Sequence, residues 1–130
     1  MEWGHTMIQK IQKILDDNYS DCIKTVTELS YDKDNKQSLC DSSKKFFGYD
    51  SIVEQLKIED LCSPDVIHIK NDKVIFIEFK NGRIDSKEKM KLKLKGIEGG
   101  YIYLFEILNK HDNAISFEDI IKLPKEYIVV

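Results

Sequence analysis

The sequence has few cysteines and no long apolar run, and these two absences exclude several classes of protein. Its three cysteines, Cys22, Cys40 and Cys62, are odd in number and widely spaced, which argues against a disulfide framework, a zinc site or a four-cysteine iron–sulfur cluster. No apolar stretch reaches the roughly 18 residues of a membrane span. The N-terminus also lacks the zones of a signal peptide. We therefore expect a cytoplasmic protein with no membrane partner.

The length and composition are typical of one globular domain. The chain has 130 residues, of which 42% are hydrophobic and 33% charged, which is enough for one core and too little for two. Residues 1–6 show no pattern, so we expect a disordered leader at the start of a single domain over 1–130. No internal repeat or low-complexity tract is present.

The net charge of −3 conceals an uneven distribution. Between Lys80 and Lys95, seven basic residues stand against Asp85 and Glu88, a local charge of +5 that leaves −8 for the rest of the chain. Such a basic block attracts polyanions, so nucleic acid is the predicted partner. The candidate nucleic-acid-binding residues are Arg83, Lys87, Lys91 and Lys95.

A β-hairpin is predicted between residues 63 and 82. Two runs rich in Val, Ile and Phe, 65–70 and 73–80, flank Asn71-Asp72, a pair that tolerates the positive φ of a two-residue turn. Both strands are apolar on both faces, which indicates a sheet with helices on each side. The predicted fold class is therefore α/β.

The hairpin register brings two carboxylates together. Antiparallel pairing about this turn places Asp65 opposite Glu78, with Lys80 two residues further on the same face. Opposed like charges are destabilising unless a cation lies between them. Carboxylate oxygens are the usual ligands of hard divalent cations, so the register predicts a metal site at the open end of the hairpin.

The remaining chain alternates helical and strand patterns. A polar loop is expected over residues 31–43. The predicted helices cover about 7–15, 20–30, 51–61, 86–97 and 117–123, with capping boxes at Ser51–Glu54 and Ser116–Asp119 and a helix end at Gly99-Gly100. The other predicted strands are 44–49, 101–108 and 126–130, and a βαβ crossover leads to the strand at 101–108.

Pro64-Asp65, followed after twelve residues by Glu78-Phe79-Lys80, resembles the PD-(D/E)XK motif of the restriction-endonuclease-like nucleases. The resemblance implies an αβββαβ sandwich, in which helices flank a mixed central sheet. It also implies a Mg²⁺- or Mn²⁺-dependent phosphodiesterase, with DNA favoured as substrate. In this family pattern Asp65, Glu78 and the backbone carbonyl of Phe79 bind the metal. Lys80 would orient or help to deprotonate the attacking water.

The resembled family often adds an acidic residue from its first helix. We favour Glu28 for this role, with Glu54 as the alternative, because a capping box already explains Glu54.

Two functions remain open from the sequence. The first is the metal-dependent nuclease, expected as a homodimer because a single small domain must cut both strands of a duplex. The alternative is a catalytically inactive, nuclease-like module that binds nucleic acid or protein in a phage-defence or mobile-element system. The small size of the chain, which leaves no room for a separate recognition domain, favours this alternative.

Overall fold

The computed structural model describes residues 2–33, 35–57, 63–80 and 84–130. Within these ranges, no helix is both long and apolar enough to cross a membrane. The chain forms a five-stranded mixed sheet, a separate two-stranded ribbon and several helices. The helices are α1 (Glu2–Asn18), α2 (Val26–Leu29), α3 (Tyr49–Glu54), α4 (Ser86–Ile97), α5 (Leu104–His111) and α6 (Phe117–Lys122). The strands are β1 (Ile23–Thr25), β2 (Tyr31–Asp32), β3 (Gln37–Ser38), β4 (Lys45–Gly48), β5 (Val66–Lys70), β6 (Lys73–Glu78) and β7 (Lys125–Val129).

The predicted hairpin is confirmed as β5 and β6. These strands pair antiparallel from Val66 opposite Ile77 to Lys70 opposite Lys73. Asn71 in the turn has a φ of 56°, the left-handed conformation that asparagine tolerates. The register is therefore the one that the sequence predicts.

The large sheet has the strand order β1-β4-β5-β6-β7. The first four strands are antiparallel neighbours, and β7 lies parallel to β6. A parallel pair needs a crossover connection, and α4, α5 and α6 form it. The predicted crossover is thus present, but it ends on β7 instead of on residues 101–108.

The strand predicted for residues 101–108 is wrong. This stretch is helical, with a π-helix over Glu98–Tyr103 that continues α4 directly into α5. A short apolar run fits a buried helix as well as a strand. In α5 the buried positions are Leu104, Ile107 and Leu108, which have helical spacing.

Gly99 and Gly100 lie inside this π-helix and do not end a helix as predicted. A Cβ on Gly99 would lie 2.5 Å from Cδ of Pro64, so only glycine lets the helix approach so closely. The hydroxyl of Tyr49 also donates a hydrogen bond to the Gly99 carbonyl. Through both contacts the π-helix packs against residues adjacent to Asp65: Pro64 precedes it in sequence, and the Tyr49 N–H donates to its carbonyl.

Three other predictions need correction. Residues 20–30 are not one helix but a 3₁₀ turn (Ser20–Cys22), β1 and the four-residue α2. Ser51 does not cap a helix, because α3 begins two residues earlier and the Ser51 hydroxyl accepts a hydrogen bond from Lys24 instead. Helix α1 begins at Glu2, within the segment expected to be disordered. The capping box at Ser116 is confirmed.

The main core lies on the sheet face that carries Ile67 and Phe76. Helices α1, α3, α5 and α6 each supply buried aliphatic side chains to it. On the other face Val66 and Ile75 are buried, but Ile77 is only half-buried. Because side chains alternate along a strand, Asp65 and Glu78 lie on the core face, at its open end.

Candidate functional site

The open end of the hairpin holds Asp65 and Glu78 side by side. Asp65 immediately precedes β5 and Glu78 ends β6, so the observed register continues to this pair. The Asp65 carboxylate accepts a hydrogen bond of 2.8 Å from the Phe79 backbone N–H. The Asp65 carbonyl accepts another, of 2.9 Å, from the Tyr49 N–H. Backbone N–H groups just beyond the ends of two neighbouring strands, β4 and β6, therefore position Asp65.

Glu78 is almost completely buried, with 4% of its surface exposed. Its Oε1 accepts a hydrogen bond of 2.8 Å from the Lys95 ammonium. Its Oε2 is buried and has no hydrogen-bond partner among the residues that the structure describes. Burial raises the pKa of Glu78, and the ion pair with Lys95 opposes that rise. One oxygen of this carboxylate is thus satisfied and the other is not.

Burial also raises the pKa of Asp65, and the nearby charge of Glu78 raises it further. The hydrogen bond from Phe79 acts in the opposite direction because it favours the ionised carboxylate. The two carboxylates therefore interact electrostatically, as the sequence predicts. Their repulsion is the cost that a bound cation would remove.

A third carboxylate, Asp50, joins this pair, and it is not among the predicted site residues. Asp50 lies in the first turn of α3, within hydrogen-bonding reach of Asp65, and Ser63 donates a hydrogen bond to it. Burial raises the pKa of Asp50 to about 7, with a further contribution from the charge of Asp65. A protonated Asp50 can therefore donate to Asp65 near neutral pH.

A sequence signal for Asp50 exists, although a wrongly placed capping box concealed it. Asp50 follows the predicted strand 44–49 by one residue, and Asp65 precedes β5 by one residue. Because β4 and β5 are antiparallel neighbours, the end of the first lies beside the start of the second. The position of Asp50 just after a strand that pairs with β5 is therefore a sequence signal for its place near Asp65.

The two lysines near the carboxylates have different partners from those expected. Lys80 was predicted to act at the carboxylate pair, but its ammonium lies 2.8 Å from Glu88 in α4. Lys95 was predicted as a nucleic-acid contact, but it pairs with Glu78. Attraction to Glu78, Asp65 and Asp50 raises the pKa of Lys95, although burial alone would lower it.

The other predicted site residues lie apart from this cluster. Glu28 is exposed and forms the capping box of α2 with Thr25, which lowers the pKa of Glu28. Glu54 is exposed at the end of α3. Lys87 and Lys91 are exposed on α4, where a polyanion could reach them. Arg83 lies outside the described residues.

A cleft of about 350 Å³ opens next to the carboxylates. One wall is the end of the hairpin, with Asp65, Glu78, Phe79 and Lys80. The other wall comes from the segment around β2 and β3. It consists of Leu29, Ser30, Tyr31, Asp32, Lys33, Asn35 and Leu39. The charged lining residues are three acids and two lysines, so the cleft has a net negative charge.

The fit of this site to a metal ion is mixed. Among the described residues, no group of three or more His, Cys, Asp or Glu side chains is arranged to hold a metal. The buried Oε2 of Glu78, which has no partner among the described residues, nevertheless needs a hydrogen-bond donor or a cation, since a lone buried carboxylate oxygen is costly. Asp65 and Glu78 together offer hard oxygen donors, which suit Mg²⁺ or Mn²⁺ better than a soft metal.

Comparisons with protein-family models, curated proteins and solved structures gave no match. The resemblance to PD-(D/E)XK nucleases therefore depends on the motif and on the geometry of this cleft.

Proposed function

We propose that this protein is a metal-dependent nuclease of the restriction-endonuclease-like fold, which hydrolyses phosphodiester bonds in nucleic acid, with DNA favoured as substrate. The single observation that carries this proposal is the buried Glu78 beside Asp65, with one carboxylate oxygen that has no hydrogen-bond partner in the part of the chain that the structure describes. The sheet order is compatible with an αβββαβ core, in which three antiparallel strands are followed by a helical crossover and a parallel strand.

Asp65 and Glu78 are the residues that would hold Mg²⁺ or Mn²⁺ in this proposal. The carbonyl of Phe79 is a further ligand only by the family resemblance. The bound cation would supply a Lewis acid that activates water and stabilises negative charge on the phosphoryl oxygens. The hydrogen bond from the Phe79 N–H orients Asp65, and the ion pair with Lys95 orients Glu78.

The charge of the cleft supports a cation requirement. Three acidic and two basic side chains line it, so it would repel a phosphate group by itself. A divalent cation between Asp65 and Glu78 would reverse that sign. Lys87 and Lys91, exposed on α4, would contact the phosphates outside the cleft.

Two lysines are candidates for proton transfer with the attacking water. The motif assigns this role to Lys80, which lines the cleft while paired with Glu88. Lys95 is the second candidate, because its ammonium touches Glu78. Lys80→Met tests the first candidate: if Lys80 transfers the proton, the variant changes the pH profile of cleavage, and if Lys95 does, the variant changes only its magnitude.

Cleavage assays with matched variants test the proposal. Purified protein would be incubated with plasmid, single-stranded DNA and RNA, in Mg²⁺, Mn²⁺ or EDTA. We expect cleavage that requires the metal, and a loss of about 100-fold or more in Asp65→Asn. Asp72→Asn, at the turn end of the same hairpin, is the control and should cleave like the wild type.

Calorimetric titration with Mn²⁺ provides a second readout, independent of activity. The wild type should bind the ion and Asp65→Asn should not. If wild type and Asp65→Asn bind Mn²⁺ equally and behave alike on every substrate, the proposed function is wrong.

A second candidate function is a catalytically inactive binding module. The observation that favours it is the ion pair between Lys95 and Glu78, because the lysine already balances the charge of this carboxylate. Such a module would bind nucleic acid through Lys87 and Lys91, with an affinity that falls steeply as salt rises. Salt-dependent binding with no cleavage in either metal would support this function over the first.

A further inference from the structure

We propose that Tyr31 is a base-stacking residue that makes the cleft selective for single-stranded nucleic acid. This inference deepens the proposed function, on which it rests for the identity of the substrate. It depends on the wall of the cleft opposite the carboxylates, which neither the sequence motif nor the metal site explains.

Tyr31 lines the same cleft as Asp65 and Glu78, and 51% of its surface is exposed. Within the described part of the chain, its ring forms no aromatic pair and its hydroxyl no hydrogen bond. Phe117, also exposed, differs because it packs edge-on against Phe105, with ring centroids 5.7 Å apart. Tyr31 therefore offers a free aromatic surface beside the candidate catalytic residues.

The segment that carries Tyr31 is held in place by hydrogen bonds, although the sequence predicts a loop there. Strand β2 pairs with β3, with Tyr31 opposite Ser38. The Ser30 hydroxyl donates to the Cys40 carbonyl and accepts from the Cys40 N–H, both at 3.0 Å. The Ser38 hydroxyl donates to the Thr27 carbonyl. The backbone that carries Tyr31 is therefore already ordered before a base stacks on the ring, which lowers the entropy cost of binding.

Stacking on the Tyr31 ring requires a base whose face is uncovered, and this favours a single strand over a duplex. In a duplex the faces of each base are covered by its neighbours, so a protein reaches only the edges unless the base is flipped out. A single strand can present a base face to Tyr31 while its phosphate lies toward Asp65 and Glu78. Lys33, on the same wall, offers its ammonium to the neighbouring phosphate. Asn35 donates a hydrogen bond of 2.7 Å to Asp32 and keeps its amide oxygen for a base edge.

The test measures binding without cleavage. The probe is a short single-stranded DNA with one 2-aminopurine, whose fluorescence falls when the base stacks, titrated with protein in Ca²⁺, which offers the carboxylates a hard cation, and checked on a gel for intact length. The same oligonucleotide in a duplex and its RNA equivalent are the comparison ligands. Loss of one stacked base corresponds to roughly a 5- to 150-fold weaker affinity.

We expect Tyr31→Ala and Tyr31→Leu to weaken single-strand binding by this factor and to abolish the quenching. Tyr31→Phe keeps the ring and should bind like the wild type. Phe117→Ala removes an exposed ring away from the cleft and is the matched control. Duplex binding should be unchanged in all four variants.

Three results would overturn the inference. They are equal single-strand affinity of wild type and Tyr31→Leu, an equal loss of single-strand and duplex binding in that variant, and no single-strand binding by the wild type. The two proposals fail separately. Normal Tyr31-dependent binding without metal-dependent cleavage would refute only the nuclease, whereas Asp65-dependent cleavage that ignores Tyr31 would refute only the stacking role.

Discussion

Two cavities of nearly equal volume differ completely in chemistry. The cleft beside Asp65 and Glu78 has about 350 Å³ and a charged lining. A second pocket, of about 360 Å³, has an apolar lining that includes Leu92, Gly96 and Tyr101. A partly buried lysine accompanies each: Lys95 pairs with Glu78 beside the cleft, and Lys125 lines the apolar pocket.

The two lysines show that the pKa of a partly buried amine depends on the groups around it as well as on its burial. Burial favours the neutral form of both amines. For Lys95, attraction to three carboxylates outweighs burial and raises the pKa. Lys125 donates to the carbonyls of Ile120 and Leu123 and lies over the Tyr101 ring, and burial lowers its pKa to about 8. The cleft therefore concentrates charge, whereas the pocket disfavours it.

Removal of Lys95 should have the largest effect on stability. In Lys95→Met the buried Glu78 loses its ion-pair partner, and we expect a loss of about 2–3 kcal/mol in the free energy of unfolding at neutral pH. This value is below the range for fully buried pairs because 28% of the Lys95 side chain is exposed. Urea unfolding at pH 7 measures it.

The control for this prediction is Lys93→Met, an exposed position on the same helix, which should leave stability nearly unchanged. The double variant Lys95→Met with Glu78→Gln should recover part of the loss, since it removes the unpaired charge. Equal stability of Lys95→Met and Lys93→Met would contradict the role of Lys95.

A smaller effect is expected from Asp50→Asn, and it should depend on pH. The folded-state pKa of Asp50 is raised to about 7, so between about pH 4 and 7 the folded protein holds a proton that the unfolded chain releases. Stability of the wild type therefore falls as pH rises through this window. Asparagine keeps a donor toward Asp65 and cannot ionise, so the variant avoids this loss.

Urea unfolding at pH 4.5 and pH 8 measures the difference. We expect the variant to gain, relative to the wild type, on the order of 2 kcal/mol from the lower to the higher pH. Asp72→Asn, an exposed carboxylate at the hairpin turn, should show no such gain. A constant difference between Asp50→Asn and wild type across this range would show that Asp50 is not held in its protonated form.

The smallest effect concerns the pKa values of Lys95 and Lys125, which can be measured in the wild-type protein. NMR titration of the lysine side chains should place the midpoint of Lys125 near pH 8. Lys95 should titrate at a higher pH than an ordinary lysine, because the ion pair with Glu78 and the nearby carboxylates raise its pKa. Resonances can be assigned with Lys95→Met and Lys125→Met. Titration of both lysines at the same pH would mean that the carboxylates do not distinguish the two sites.

The hairpin and its carboxylate pair were predictable because strand pairing here depends on local signals. The apolar runs and the Asn71 turn define the register, and the register places Asp65 opposite Glu78. The same local reasoning failed at residues 101–108, where a continuous apolar run carries no strand or helix periodicity of its own. The close packing of Gly99 against Pro64 accompanies the helical conformation there.

By itself, the sequence determined the α/β class, the hairpin, its register and the meeting of two carboxylates. Only the tertiary structure decided what surrounds them: Asp50 from a neighbouring strand end, Lys95 from a helix seventeen residues beyond Glu78, and Tyr31 from the opposite wall. The physical reason is the separation along the chain between the residues that decide each feature. Alternation along a strand is set by the backbone within a few residues, whereas the partner of a buried charge depends on which distant elements pack together.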